Sequence, residues 1–162
     1  MLLNLLGEKE NISSQMIMES RNLPEFNLFI SLPEVGEISA ALFIGKIGDL
    51  LRFPNHKKVN AFTGVDIWRY QSGKYAGQDR INKRGNPNGR KILYIIVRNM
   101  IHLQKHAPNH IVDYYYKLKE QPHPKKDKVA IVTCMNKLLK CIYFMVKNNT
   151  KYGYSYTVLL DH

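Results

Sequence analysis

Cysteine is scarce in this chain of 162 residues: only Cys134 and Cys141 are present. On a helix rising about 1.5 Å per residue they share a face but stand about 10 Å apart, too far for a disulfide. The pair reads as two small core residues of an intracellular protein. The six histidines are scattered, and no Cys/His set has zinc-ligand spacing. Acids are few, 13 Asp and Glu against 24 Lys and Arg. Those in the second half stand singly, so no paired-carboxylate motif and no carboxylate cluster for a metal-dependent nuclease can be assembled from them. A Ser-His-Asp triad has no motif behind it. No apolar run approaches the roughly 20 residues of a membrane-spanning helix. The apolar start, Met1–Leu6, is followed by Glu8 and Glu10, unlike a signal peptide.

What is abundant is positive charge. The formal net charge is +11 and the pI about 9.7, which points to a polyanionic partner, nucleic acid before an acidic membrane surface. The length fits one domain able to bury a core, and the hydrophobic fraction of 44% is ordinary. The charge is uneven. Residues 1–60 carry six basic and seven acidic side chains, while residues 61–162 carry eighteen and six. The basic half opens with the stretch Gly64–Lys91, which holds five of the ten glycines, seven basic residues, only Asp66 and Asp79 as acids, and the single tryptophan, Trp68. Glycine lets a backbone approach a partner closely, and lysine and arginine beside it suit phosphate. The stretch is the expected working surface.

In chain order, residues 2–22 have loose helical spacing and read as a piece of a longer helix, a coiled-coil arm or a frayed leader. Pro24 suits the first turn of a helix over 25–32. Leu32-Pro33-Glu34-Val35-Gly36-Glu37 then predicts a glycine turn between two helices. This is either a helix–hairpin–helix, with Gly36 offering backbone N–H groups to a DNA phosphate, or a plain αα-hairpin. Helix 38–47, with Ile38, Leu42 and Phe43 inward, ends at Gly48-Asp49. Asn55 caps a helix over 56–63 that Gly64 terminates, with Val59 and Phe62 inward. Ile67–Gln71 and Tyr75–Ile81 could pair as a short, irregular hairpin across Ser72-Gly73-Lys74. Asn86 or Pro87 starts a helix to His106, with Ile92, Ile96, Asn99, Met100 and Leu103 on one face. Lys91, Arg98 and Lys105 line another, facing either solvent or phosphate. A shorter helix covers 111–119, its tyrosines for packing. Asp127 caps a long helix to Asn148 with regular apolar spacing from Ile131 to Val146. Lys137, Lys140 and Lys147 lie away from that face, and the tail 152–160 has strand propensity.

One nucleophile stands out by context. Ser72 is followed by Gly73 and Lys74 and flanked by Arg69 and Arg80. These cations could hold the charge that develops when a phosphodiester is attacked. A hydroxyl must also be activated, and no residue of this chain evidently does that. The bland alternative is a turn serine.

The ordered set Leu32-Pro33-Glu34-Val35-Gly36, Ile47-Gly48-Asp49, Arg52-Phe53, Ala61-Phe62-Thr63-Gly64-Val65, Gln71-Ser72-Gly73-Lys74, Lys83-Arg84-Gly85-Asn86 with Arg90, and Lys128-Val129-Ala130 resembles the C-terminal domain of the insertion-sequence 110/116/902 family of transposases. The resemblance covers residues 30–150. It implies a DNA transposase in which this helical domain follows a resolvase-like domain bearing four metal-binding acids. Ser72 would be the catalytic nucleophile, forming a phosphoserine link. DNA, a structured guide RNA and homo-oligomer contacts are the implied partners. On this reading residues 1–30 are the remnant of a connecting coiled coil, 31–150 the transposase domain and 151–162 a tail. The acidic domain would be missing, and with it the divalent metal, so this chain holds no cofactor and is inactive alone. The family usually has serine or threonine at Asn82 and leucine at Gly89.

The expected fold is mostly α. It is a helical domain with a helix–hairpin–helix-like element and a Gly-rich basic loop or short hairpin before the central helix. The expected nucleic-acid contacts are Arg69, Lys74, Arg80, Lys83, Arg84, Asn86, Arg90, Lys91 and Arg98, with Gly36, Gly73 and Gly85 meeting phosphate through backbone. The expected location is the bacterial cytoplasm at the nucleoid, with no membrane partner. Two other readings use the same residues: a non-catalytic nucleic-acid-binding module, and an interaction domain built on the tyrosines and the long helix.

Overall fold

Apolar residues at three-four spacing run along residues 127–148, and this segment is the helix about which the others pack. The computed structural model describes residues 1–68, 71–72, 75–76, 80–82, 84–103, 109–120 and 122–157. They are mostly helical: α1 (Leu2–Arg21), α2 (Pro24–Ile30), α3 (Glu37–Ile47), a 3-10 turn (Leu50–Arg52), α4 (His56–Thr63), α5 (Pro87–His102), α6 (His110–Glu120), α7 (Asp127–Asn148) and α8 (Tyr154–Thr157). Between α4 and α5 lie four two-residue strands, β1 (Ile67–Trp68), β2 (Gln71–Ser72), β3 (Tyr75–Ala76) and β4 (Arg80–Ile81). They pair antiparallel, Ile67 with Ile81 and Trp68 with Arg80, and within them Gln71 with Ala76 and Ser72 with Tyr75.

Helix α7 buries Ile131, Met135, Leu138, Leu139, Ile142, Met145 and Val146, together with Ala130, Cys134 and Cys141. It packs against α2, α4, α5, α6 and the 3-10 turn. Both cysteines are free and buried, and burial pushes each thiol up to about 12. Two expectations change here. By length and composition α7 is apolar enough to span a bilayer; its ten buried residues show where that apolarity goes in this fold. Asp127 is the first helical residue, not the cap, and the Lys126 cap position makes no side-chain cap bond. The Asp127 carboxylate instead accepts the Tyr115 hydroxyl, tying α6 to α7. That bond, with burial, raises Tyr115 to about 12. At the far end Asn149 adopts the left-handed conformation, φ 48°, which asparagine tolerates as a helix terminator.

Helix α5 buries Ile92, Leu93, Ile96, Val97 and Met100 against α3, α4, α6 and α7. Asn99 and Leu103 are exposed rather than inward, because the buried stripe runs through Leu93 and Val97. Helix α3 presents a face rotated from the expected one. Phe43 is buried as expected and Leu42 half-buried, but Ile38 is exposed, and Ala40, Ala41, Ile44 and Ile47 complete the buried side. The small side chains of Ala40 and Ala41 suit a close approach by the neighbouring helices, and α3 packs against α1, α2 and α5.

The described part of the tail is not a strand. Tyr154–Thr157 form one helical turn, and residues 158–162 lie outside the described set. Tyr152 donates its backbone N–H to Ser31 Oγ at 2.8 Å, and its ring stacks on His110, with centroids 5.4 Å apart. In α1 only Ser20 is buried; Leu2, Leu3, Leu5, Leu6, Ile12 and Met18 are exposed.

Candidate nucleic-acid interface

The stretch after α4 is anchored by a backbone-to-backbone contact between two glycines. Gly64 ends α4 in the left-handed conformation, φ 69°, as the C-cap. A Cβ on Gly85 would stand 2.2 Å from Gly64 N and 2.4 Å from Phe62 O. The turn before α5 therefore lies directly on the end of α4, as only glycine allows. Asn86 N donates to Phe62 O at 2.7 Å, and Asn82 N to Asp66 O at 2.8 Å. Between these two anchors the chain runs out through β1, β2, β3 and β4 and back.

Two expected nucleic-acid contacts are part of this clasp. Asn86 is the N-cap of α5: its Oδ1 accepts from Asn88 N at 3.0 Å and Gly89 N at 3.1 Å, while its Nδ2 donates to Lys46 O at 3.1 Å. Its side chain thus joins α3, the turn and α5. Arg90 donates from Nη1 to Thr63 O at 3.2 Å, capping a carbonyl at the end of α4. Gly85 serves the close approach. The exposed expected contacts are Arg84, Lys91 and Arg98. Lys91 and Arg98 share one side of α5, and an Arg98 Nη2 lies 2.9 Å from His102 Nε2. Arg69, Gly73, Lys74 and Lys83 lie outside the described residues, as does Lys105. Of Ser72 and Arg80 the backbone is described, in β2 and β4. Ser72 is thus in a strand opposite Tyr75 rather than at the tip of the turn.

Gly36 does not make the expected glycine turn. It is extended, φ −77° and ψ 162°, at the N-cap of α3, where a Cβ would meet nothing within 4 Å. The positive-φ residue of that connection is Glu34, φ 62°. Glu37 in the first turn of α3 pairs with Arg21 at 2.7 Å.

Against known protein families, residues 26–112 match the model for the Transposase IS116/IS110/IS902 family, from α2 into α6 and over more than half of the chain. The chain belongs to this family. No curated protein matches it. Membership in a transposase family implies a role in transposition and with it an interaction with DNA. Much of the pattern that carried the resemblance is architectural in this transposase-family chain. Gly48 ends α3 at φ 71°. Asp49 Oδ1 accepts from Leu51 N. The Arg52 guanidinium lies over the Phe53 and Phe62 rings, 4.6 and 4.9 Å from their centroids, and donates to Ile47 O. Gly89 is buried. A Cβ there would stand 2.8 Å from Ile47 Cδ1, so Ile47 occupies the space that a larger side chain would need.

A second basic feature was not legible in the sequence. Residues of α4, α6, α7 and α8 enclose a cleft of about 620 Å³ whose lining includes Lys117, Lys137 and Lys140. Lys137 and Lys140 were expected merely to lie away from the core. They are half-buried, and Lys137 Nζ sits 4.5 Å from the Tyr114 ring centroid. The only advance signal was their spacing of three beside the apolar stripe of α7. Among the described residues no group of His, Cys, Asp or Glu could hold a metal ion.

Proposed function

We propose that this chain is the nucleic-acid-binding, serine-bearing part of an insertion-sequence transposase. The observation that carries the reading is the Gly64–Gly85 clasp, which holds both ends of a basic strand–turn excursion on a rigid helical scaffold. The exposed Arg84, Lys91 and Arg98 stand at its base and along the helix that follows. Phosphates bind there electrostatically and without sequence preference. The α2–α3 connection acts as a helix–hairpin–helix-like element, with the N-terminus of α3 lacking a side-chain cap at Gly36. Glu34 and Glu37 make it the weaker contact.

Ser72 is the nucleophile on this reading. Its Oγ forms a bond to phosphorus as the bond from phosphorus to the leaving sugar oxygen breaks. The hydroxyl proton passes to a base in the acidic, metal-holding domain of the family. The family's guide RNA and homo-oligomer contacts are partners, and the site of action is the bacterial nucleoid. The test supplies the acidic domain, the guide RNA and target DNA, and looks for a covalent protein–DNA adduct. The expected result is an adduct that disappears in Ser72→Ala while DNA binding is kept. An unchanged adduct in that variant removes Ser72 as nucleophile. No adduct in either protein, with salt-sensitive binding intact, favours a non-catalytic binding module.

A further inference from the structure

Helix α5 leaves the clasp with one continuous face open to solvent. Asn88, Lys91, Ile95, Arg98, Asn99 and His102 are all exposed. At 3.6 residues per turn they fall within an arc of about 100° and run for about 21 Å along the helix. No Asp or Glu occurs in the 16 residues of α5. A solvated helix face commonly sets acids three or four residues from its lysines and arginines. Here the residue four after Lys91 is Ile95, 43% exposed, and the residue four after Arg98 is His102. Arginine can only donate, so the His102 ring accepts at 2.9 Å and holds the Arg98 guanidinium on this face. The Asn99 amide is uncommitted. The asparagines of α7 bond to their own helix, Asn136 Nδ2 to Val132 O at 3.2 Å and Asn148 Nδ2 to Phe144 O at 2.9 Å. The Asn99 side chain makes no hydrogen bond among the described residues.

From this face we infer that α5 enters the major groove of a DNA duplex and contacts base edges, Asn99 through its amide and Ile95 through apolar contact, while Arg84, Lys91 and Arg98 hold the flanking phosphates. The inference rests on the nucleic-acid reading above and goes beyond it, because phosphate contacts position a protein whereas base-edge contacts give sequence preference. The dimensions agree. A helix with its side chains is about 10–12 Å across, and the major groove of B-form DNA is about 12 Å wide. In that groove an asparagine amide pairs with N6 and N7 of adenine, and an apolar side chain meets the thymine methyl. The major groove of an RNA duplex is too deep and narrow for side chains to read, so the helix face fits DNA. The absence of acids from α5 removes the charge that would repel the groove's phosphate walls.

The test selects from a pool of randomised DNA duplexes with the whole chain, then measures affinity for the selected duplex as a function of salt. The parent is expected to enrich a short motif and to bind it about tenfold or more above a scrambled duplex, the worth of one good base contact. Asn99→Ala should lose the preference at one base pair of the motif and Ile95→Ala at another, both with the salt slope unchanged and the fold intact by circular dichroism. Lys91→Gln should do the reverse, keeping the preference and lowering the slope by about 0.9. An unchanged motif in both Asn99→Ala and Ile95→Ala overturns α5 as the reader. Salt-sensitive binding with no enriched motif overturns base readout and leaves the phosphate reading standing. Tighter binding of an RNA duplex of the selected sequence overturns the DNA groove. So does a self-associated form of the chain that Ile95→Ala disperses while the DNA preference is kept. No binding to any duplex overturns both readings.

Discussion

At the scale of single residues, Gly36 and Gly85, both expected to meet phosphate through backbone, differ in what they do. Gly85 stands where a Cβ meets backbone atoms at 2.2 and 2.4 Å. Neither contact can move without separating the turn from α4. Gly85→Ala is expected to cost about 3 kcal/mol or more, the upper end of overpacking costs, read as a fall in the urea midpoint with an unchanged slope. Gly36 is extended, and a Cβ there meets nothing. Gly36→Ser supplies the missing N-cap oxygen and should change stability by only a few tenths of a kcal/mol. The strained position is Glu34 at φ 62°. Glu34→Gly should stabilise by up to about 1 kcal/mol, because a non-glycine residue pays roughly 1–2 kcal/mol in the left-handed region. A sequence reader sees the glycine and assigns it the turn; only the backbone shows that the turn falls two residues earlier. His56 is the residue whose charge state the fold shifts most usefully. Burial first, then Lys140 and Lys57, lower its pKa below 6.5. His110, Asp113, Lys117 and Lys137 also line its cleft. Below pH 6.5 the unfolded chain takes up this proton before the folded one, so stability falls as pH drops from 6.5 toward the folded value. His56→Gln should flatten that acid limb in thermal melts taken from pH 7.5 to 5; an identical limb in the variant would remove His56 as its source.

At the scale of elements, legibility followed locality. The limits of α4, the start of α5 and the C-terminal end and buried stripe of α7 were readable, because caps and apolar periods act within a few residues. Asn55 accepts from Lys58 N, Gly64 takes the left-handed cap, and the stripe from Ile131 to Val146 is buried apart from half-buried Val132. What reaches across the chain was not readable. Asn86 was expected to open α5 and to meet nucleic acid; its side chain caps α5, and the unforeseen part is its bond to Lys46 O, forty residues earlier. The tail has strand propensity in the sequence, yet among the described residues Tyr152 is held by Ser31 and His110, and Tyr154 by Asp113. Tertiary contacts overrode β propensity there. The clasp converts into a separable prediction. Asn86→Ala loses the cap, worth about 0.5–2 kcal/mol, and the bond to Lys46 O, worth about 1 kcal/mol more. Asn86→Ser should restore most of the cap and none of the second bond, so it should lie between parent and Ala in chemical denaturation. Both variants should keep the salt slope of nucleic-acid binding, because the side chain is occupied within the protein. A slope lowered by Asn86→Ser would return Asn86 to the interface.

At the scale of the whole molecule, the net charge of +11 would attract any polyanion, so binding alone does not locate an interface. Position does. Of the described cations expected to meet nucleic acid, Arg84, Lys91 and Arg98 are exposed, and all belong to the half that carries eighteen basic against six acidic side chains. A partner held by six phosphate contacts loses affinity about a thousandfold between 50 and 200 mM salt, and each contact removed takes about 0.9 from the slope on duplex DNA. Lys91→Gln and Arg98→Gln are each expected to lower the slope by about that amount. Lys9→Gln, on exposed α1 in the other half, removes the same formal charge and should leave the slope where it is. A general field predicts equal effects for all three changes, and a local interface predicts the difference. Equal slopes would therefore move the interface off α5 while leaving the chain a basic member of its family.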